Sequence, residues 1–293
     1  MSTSKGNLFD TKLVTDLISK VKGTSSLALL SQSTPIPFNG LKEFVFSMDK
    51  EVDVVAENGK KTEGGFSLEP VKIVPIKIEY GARVSDEFLY ASEEEKINYL
   101  TAFNDGFAKK VARGIDIMAM HGYNPRTKAA SDVIGTNHFD SKVTQKVTYA
   151  AAKVDENIED AIKLVDDNDY DVTGMALSKD MGAALSKIKV NGVAQYPEFR
   201  FGGNPGVFAG YKADVNRTVN FGESKDHMIV GDFANMFKWG YAKEIPLEII
   251  KYGDPDNSGK DLKGYNQVYI RAEAYIGWGI LDPKAFARVE ATA

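Results

Sequence analysis

The stretch SEEEKINYLTAFNDGFAKKVARGIDIMAMH, residues 92–121, reads as one uninterrupted helix. Ser92 and Glu95 have the spacing of a capping box, in which the hydroxyl takes the N–H of the third residue and the carboxylate reaches back. Glu93 and Glu94 add negative charge at the positive end of the helix. Ile97, Leu100, Phe103, Phe107, Val111, Ile115 and Met118 recur at steps of three or four and form one apolar stripe. No proline interrupts, and Gly122 supplies the stop. At about 1.5 Å per residue the element runs roughly 40 Å, so it spans a domain rather than sitting inside one. On this pattern alone, a long helix lying across a sheet in an α+β enzyme is an equally good reading.

Upstream, residues 41–56 alternate Phe44, Phe46 and Met48 against Val45, Ser47 and Asp49, then continue through Val52, Val54 and Val55. Residues 66–80 read as the returning strand, with Asn58-Gly59 and Gly64-Gly65 as turn chemistry between the two. Pro70 and Pro75 lack the N–H that a central strand donates, which places the return at an edge. Two strands of this length make a ribbon of roughly 50 Å, too long to be covered by its own subunit, and an exposed ribbon invites pairing with another chain. Residues 1–23 carry a short amphipathic stripe (Leu8, Leu13, Val14, Leu17, Ile18, Val21) and read as an arm.

Downstream, residues 123–148 read as a loop-rich bridge, after which a second unit of α/β character begins. Asp155 or Asn157 can cap a helix there, residues 172–177 read as a buried strand, and Ser178 can cap a helix bearing Met181, Leu185 and Ile188. Residues 207–215, 228–233 and 245–252 read as strands. Residues 267–276 alternate apolar and polar and read as a strand returning to the first unit.

The chain has 293 residues, 43% of them apolar, enough for one large or two modest domains. No run approaches the ~18 apolar residues of a membrane span, and a cytoplasmic location is expected. Zero cysteines exclude disulfides and thiolate chemistry. A net charge of −5 gives no general attraction to nucleic acid. His121, His138 and His227 lie far apart without metal-ligand spacing and read as surface or loop residues, so no metal is expected. Asp254-Pro-Asp256-Asn-Ser258-Gly259 starts like a calcium loop but has Tyr265 where the bidentate glutamate belongs, and reads as a turn. The acidic run Asp166, Asp167, Asp169 and Asp171 reads as a solvated charge cluster. No Gly-x-Ser-x-Gly, phosphate-cradling loop or dinucleotide fingerprint is present, so no catalytic or cofactor-binding residue is assigned.

The order of arm, long hairpin, long helix and α/β unit resembles the major capsid proteins of tailed bacteriophages, the Hong Kong 97 fold. Val54-Val55-Ala56-Glu57-Asn58-Gly59 with Phe66-Ser67-Leu68-Glu69-Pro70-Val71-Lys72 is similar to that family's extended loop, and Val84-Ser85-Asp86-Glu87-Phe88-Leu89 to its lead into the spine helix. Gly114-Ile115-Asp116 through His121-Gly122 resembles its helix end. Gly206-Val207-Phe208-Ala209-Gly210-Tyr211 and Ile229-Val230-Gly231-Asp232-Phe233 resemble its axial strands. Val268-Tyr269-Ile270-Arg271-Ala272-Glu273 with Asp282-Pro283-Lys284-Ala285-Phe286 resembles its closing segment.

The resemblance implies an α+β, Hong Kong 97-like fold divided into an arm (1–40), a hairpin (41–80), a peripheral domain (81–150), an axial domain (151–250) and closing strands returning to the peripheral domain (251–293). It implies a non-enzymatic shell subunit in the virion, assembled in the host cytoplasm into pentamers and hexamers, with a portal protein as a further partner. Contacts between subunits are expected at Phe44, Phe46, Lys60, Lys61, Phe66, Pro70, Ile76 and Tyr80. Weak contact with packaged double-stranded DNA is expected at Lys5, Lys12, Lys20 and Lys22. Many members carry a long charged scaffolding segment, whereas only some forty residues precede the hairpin, so a separate scaffold or a processed chain is expected. Some members join subunits by a Lys–Asn isopeptide bond, and Lys60 and Lys61 stand at the matching loop tip, but exposed lysines are commonplace and no crosslink is expected. Two other readings compete: an encapsulin-type compartment of the same architecture, and a monomeric α/β binding protein or hydrolase.

Overall fold

The computed structural model describes residues 25–90, 93–243 and 247–292. The long helix is present as α2 (Glu93–His121), preceded by α1 (Ser26–Leu30), β1 (Leu41–Met48), β2 (Phe66–Ile73) and β3 (Ile76–Ser85). Ser92, the expected cap, lies outside the described residues, as does the amphipathic stripe of the arm. Leu100, Phe107, Val111, Ile115 and Met118 are buried as the stripe requires, but Ile97 is 56% exposed. The other end is buried all round: Ile115 to His121 is inaccessible on every face, so α2 runs from the surface into the middle of the subunit. Gly122 ends it in the left-handed region (φ 70°), donating its N–H to the Met118 carbonyl at 2.9 Å.

Two sheets flank this helix. In the first, β13 (Gln267–Ile280) pairs along one edge with β3 and along the other with β11 (Phe237–Lys243) and β12 (Leu247–Ile250), all antiparallel. Its apolar residues meet α2 around Phe107, Ile115, Trp239, Ile276 and Trp278. The second is a mixed sheet in the order β4 (Lys146–Thr148), β14 (Phe286–Glu290), β10 (Asp226–Gly231), β5 (Gly174–Ser178), β9 (Tyr211–Asn216), β8 (Val207–Phe208). Helices α4 (Val154–Asp166) and α5 (Lys179–Leu185) pack on it around Val165, Met175, Leu177, Met181 and Phe199. Ser178 caps α5, its hydroxyl accepting the Met181 N–H at 3.1 Å. The cap of α4 is Lys153, which makes no side-chain cap bond; Asp155 falls in the first turn and Asn157 donates to the Ala150 carbonyl instead. A short helix α3 (Phe139–Lys142) follows α2, and β6 (Lys189–Val190) pairs with β7 (Val193–Ala194) as a two-residue hairpin after α5.

Four boundaries differ from the sequence reading. Part of the expected arm is held in the core: Leu27, Leu30 and Ile36 are buried, and the Thr34 and Ile36 N–H groups donate to the Trp239 and Tyr241 carbonyls, extending the first sheet past β11. Strands β11 and β12, placed by sequence in the axial unit, belong to the first sheet, whereas the closing strand β14 enters the axial sheet between β4 and β10. The strand expected over 207–215 is a hairpin, because Ala209 and Gly210 both have positive φ (50° and 89°) and turn the chain. The returning strand 66–80 is two strands in different sheets, divided at Val74-Pro75.

The 33–36 edge passes against Gly240, where an added Cβ would lie 1.7 Å from the Thr34 carbonyl oxygen. Gly240→Val is therefore expected to expel this segment, lowering stability by roughly 2–3 kcal/mol through overpacking and lost pairing. Thermal unfolding with limited proteolysis checks it: new cleavage should fall within 25–40, and a variant as resistant as the parent would show that the segment is not held here.

Candidate assembly surface

The hairpin β1–β2 pairs antiparallel from Leu41↔Ile73 to Met48↔Phe66. Directly opposed residues project from the same face, so Phe44 with Pro70, Phe46 with Leu68, and Met48 with Phe66 form one apolar face. That face points outward: Phe44, Phe46, Met48, Phe66 and Leu68 are between 53% and 73% exposed, and the Phe46 and Phe66 rings lie 5.8 Å apart. The opposite face carries Glu43, Val45 and Val71, half-buried against the subunit, and the exposed Glu69. Glu43 is ion-paired to Lys238 of β11 at 2.8 Å. Ile73 is fully buried over Gly277 and Gly279, where an added Cβ would lie 3.1 and 2.7 Å from its side chain. A ribbon that presents its more apolar face to water reverses the usual alternation, and a contiguous exposed patch of this kind marks an interaction site.

Pairing stops at Met48, where the Asp49 carboxylate takes the Gly65 N–H at 2.6 Å. The ribbon is therefore half the expected length, and 49–65 is a loop turning at Asn58-Gly59, with Gly59 N–H donating to Ala56 O at 2.8 Å. Lys60 and Lys61 are exposed on that loop. The structure thus brings Phe44, Phe46, Phe66 and Pro70 together on one face and leaves the two lysines on the loop tip. Ile76 and Tyr80 do not belong to the hairpin. They lie in β3, where Ile76 packs on the core and the Tyr80 ring lies tilted against Phe103, centroids 5.9 Å apart. Met48, which alternation already sets beside Phe44 and Phe46, and Leu68, which the pairing register sets opposite Phe46, complete the apolar face. Lys5, Lys12, Lys20 and Lys22 lie outside the described residues.

The histidine reading needs correction. His121 has no exposed side-chain surface and bonds Asp140 and the Thr218 carbonyl; Asp140 and Asp226 lie close enough for the three to share a cation. His138 caps α3, accepting the Ser141 N–H, and His227 stacks on Tyr149 with ring centroids 3.8 Å apart. The 254–259 segment is a turn, as its sequence implies, with Asp254 accepting the Ser258 and Gly259 N–H groups, and Asp254 and Asp256 are both ion-paired to Arg83 of β3. Among the described residues no helix is long and apolar enough to cross a membrane.

A spine helix buried at one end, two sheets around it and an outward apolar hairpin together define a shell-building subunit of the Hong Kong 97 type. The chain belongs to the phage capsid family, which matches residues 5–291. It is similar to a solved chain of Mycobacterium phage Ogopogo, with 31% identity, a TM-score of 0.79 and 92% of each chain covered. A chain of Gordonia phage Cozz shares 23% identity at a TM-score of 0.76, covering 92% of this chain and 87% of that one. The capsid of a native GTA particle shares the fold at 16% identity and a TM-score of 0.63, with 92% and 91% covered. No curated protein matches. Family membership makes the chain a major capsid protein that self-assembles into the shell of a phage head.

Proposed function

We propose that the outward face of β1–β2 lies on the neighbouring subunit and is the main apolar contact holding the shell together. The observation that carries this is the reversed ribbon, with Phe44, Phe46, Met48, Phe66 and Leu68 in water and Glu43 anchored inward. An isolated subunit gains nothing from that arrangement, whereas burying such side chains against a second copy stabilises by about 1.5–3 kcal/mol each. The loop 49–65, with Lys60 and Lys61, extends the same contact past the end of the ribbon. Electron microscopy of the assembled shell tests it: each hairpin should rest its aromatic face on an adjacent copy, and a hairpin open to solvent on that face would overturn the reading.

The same reading has subunits grouped as pentamers and hexamers, assembled in the host cytoplasm with a portal and either a separate scaffold or a scaffolding segment removed earlier. DNA enters it as cargo. With 36 basic against 41 acidic residues the chain has little to gain from releasing phosphate counterions, and tight binding would oppose sliding during packaging. Filter binding of the free subunit to duplex near physiological salt is expected to give affinity weaker than about 1 μM without sequence preference. Tighter or sequence-selective binding would show that Lys5, Lys12, Lys20 and Lys22 form a dedicated DNA surface.

A further inference from the structure

His121 closes the buried end of α2, and the scaffold fixes which of its ring nitrogens is free. Nε2 lies 2.7 Å from the Thr218 carbonyl oxygen, and Thr218 is itself pinned by its hydroxyl, which donates to Asp116 at 2.8 Å. A carbonyl can only accept, so the single proton of a neutral imidazole sits on Nε2 and the Nδ1 lone pair is bare. That lone pair points at Asp140 Oδ2, 2.9 Å away, from a side chain with no exposed surface. Asp226 of β10 stands beside them, with the ring nitrogen and one oxygen of each carboxylate all within 4.8 Å of one another. Asp140 Oδ1 is buried and makes no hydrogen bond among the described residues. Arg288 of β14 serves mainly Asp226: its Nε is 3.0 Å and 3.1 Å from the two Asp226 oxygens, and its terminal nitrogens lie 2.8 Å from Asp226 Oδ1 and 3.4 Å from Asp140 Oδ1. Lys146 is paired to Glu290 at 2.7 Å. Three electron-pair donors therefore converge, and one arginine against two carboxylates leaves them one positive charge short.

We propose that His121 Nδ1, Asp140 and Asp226 bind a divalent first-row transition ion of octahedral preference, such as manganese(II), which clasps the end of the spine helix to α3 and β10. Donors held at about 2.1 Å from an ion lie roughly 3.0 Å apart at right angles and about 3.4 Å apart at the tetrahedral angle. The 2.9 Å between Nδ1 and Asp140 Oδ2 is an octahedral edge, too short for tetrahedral zinc. An imidazole ligand disfavours magnesium and calcium, which take oxygen, and two carboxylates without a thiolate disfavour a soft ion.

The surroundings are those of a supported site. A histidine that binds a metal through one nitrogen donates its other N–H to a carbonyl or carboxylate, which fixes the tautomer and aims the ring; the Thr218 carbonyl does this for His121. Ligating carboxylates are held by hydrogen bonds in turn, and Arg288 holds Asp226 through both oxygens and reaches the Asp140 backbone carbonyl at 3.0 Å. A cleft of about 290 Å³ lined by Tyr123, Lys146, Glu223, Lys225 and Glu290 reaches Asp140 and Arg288. It gives the ion an entry and leaves room for water in the remaining coordination positions. The three ligands come from α2, α3 and β10 and meet only in the folded chain, so the ion binds the folded state and stabilises it by mass action.

The test uses the full chain, stripped with a chelator, dialysed and titrated with manganese(II) chloride while free ion is counted by electron paramagnetic resonance. One ion per chain is expected to bind, and the unfolding temperature should rise by about 5 °C at a hundredfold excess over Kd. The electron spin echo of the bound ion should carry the modulation of one imidazole nitrogen. Of the three histidines, His121→Gln should abolish that signal, whereas His138→Gln and His227→Gln should keep it. Asp140→Asn should weaken binding about tenfold or more. Absence of saturable binding below millimolar ion overturns the proposal and puts a proton, on the ring or between the carboxylates, where we place the metal. A bound ion without nitrogen modulation, as the acidic run 166–171 would give, overturns it too, as does binding that survives His121→Gln unchanged. Should the His121 variant not fold, the wild-type spin echo, read with nitrogen-15 histidine and with the other two histidines replaced, decides alone.

Discussion

Phe46→Glu combined with Phe66→Glu is expected to abolish shell formation while leaving a folded subunit. The two rings lie 5.8 Å apart on the outward face of the hairpin and are 55% and 73% exposed, so the subunit itself draws little stability from them. Replacing exposed side chains away from caps and cores usually changes stability by within about 0.5 kcal/mol. At the proposed contact the same change removes two buried aromatic side chains, roughly 3–6 kcal/mol per interface, and places two carboxylates in an apolar site, where an unpaired charge costs several kcal/mol more. Each 1.4 kcal/mol is tenfold in affinity, so a loss of this size moves assembly beyond any practical concentration. Light scattering and electron microscopy should find monomers or small oligomers with near-normal thermal unfolding. Normal particles from the double variant would show that the hairpin face is not the contact; unfolded protein would show that the face supports its own subunit. Removing residues 50–70, the more drastic version, is expected to have the same outcome, with Val71 and Ile73 retained to cover Gly277 and Gly279.

Legibility followed the range of the forces involved. The spine helix, its glycine stop and the Ser178 cap depend on neighbours within a few residues, and spacing alone locates them. The hairpin was legible in kind but not in extent. Alternation runs on through Val52, Val54 and Val55, yet no partner strand faces them, because the return begins only after Gly64-Gly65. Residues 66–80 read as one strand although the apolar phase slips at Val71-Lys72-Ile73-Val74, just where β2 gives way to β3; Pro75, with no N–H to donate, marks the handover. Which sheet each closing strand joins depends on contacts far apart in sequence: β14 pairs with β10 and β4, and nothing local to 286–290 says so. His121 was misread for the same reason. Its neighbours stand at 140, 218 and 226, and no motif spacing links them.

Asp116→Ala is expected to cost the subunit about 4 kcal/mol or more and lower its unfolding temperature by roughly 10 °C. Asp116 is completely buried on α2 and accepts hydrogen bonds from the Ser25 hydroxyl, the Ser26 N–H at 3.0 Å, the Leu27 N–H at 3.2 Å and the Thr218 hydroxyl at 2.8 Å. It thereby holds the amino end of α1, whose first turn is also capped by Ser25, while the Ser26 hydroxyl donates to Asp214 at 2.5 Å. Alanine orphans four buried donors at about 1–3 kcal/mol each before relaxation, and relaxation means release of α1 with Leu27 and Leu30. Asp116→Asn keeps one acceptor and separates charge from geometry. Burial pushes the Asp116 carboxyl up to about 6, against its hydrogen bonds, so the folded chain binds this proton more tightly than the unfolded chain. Its contribution therefore grows as the pH falls from about 6 toward 3.8, by roughly 1 kcal/mol per unit in that window. Wild type should gain stability between pH 7 and 5, and the asparagine variant should lose the part of that gain that Asp116 supplies. Equal slopes in the two proteins would mean that Asp116 is ionised throughout and that its hydrogen bonds, rather than burial, set its charge.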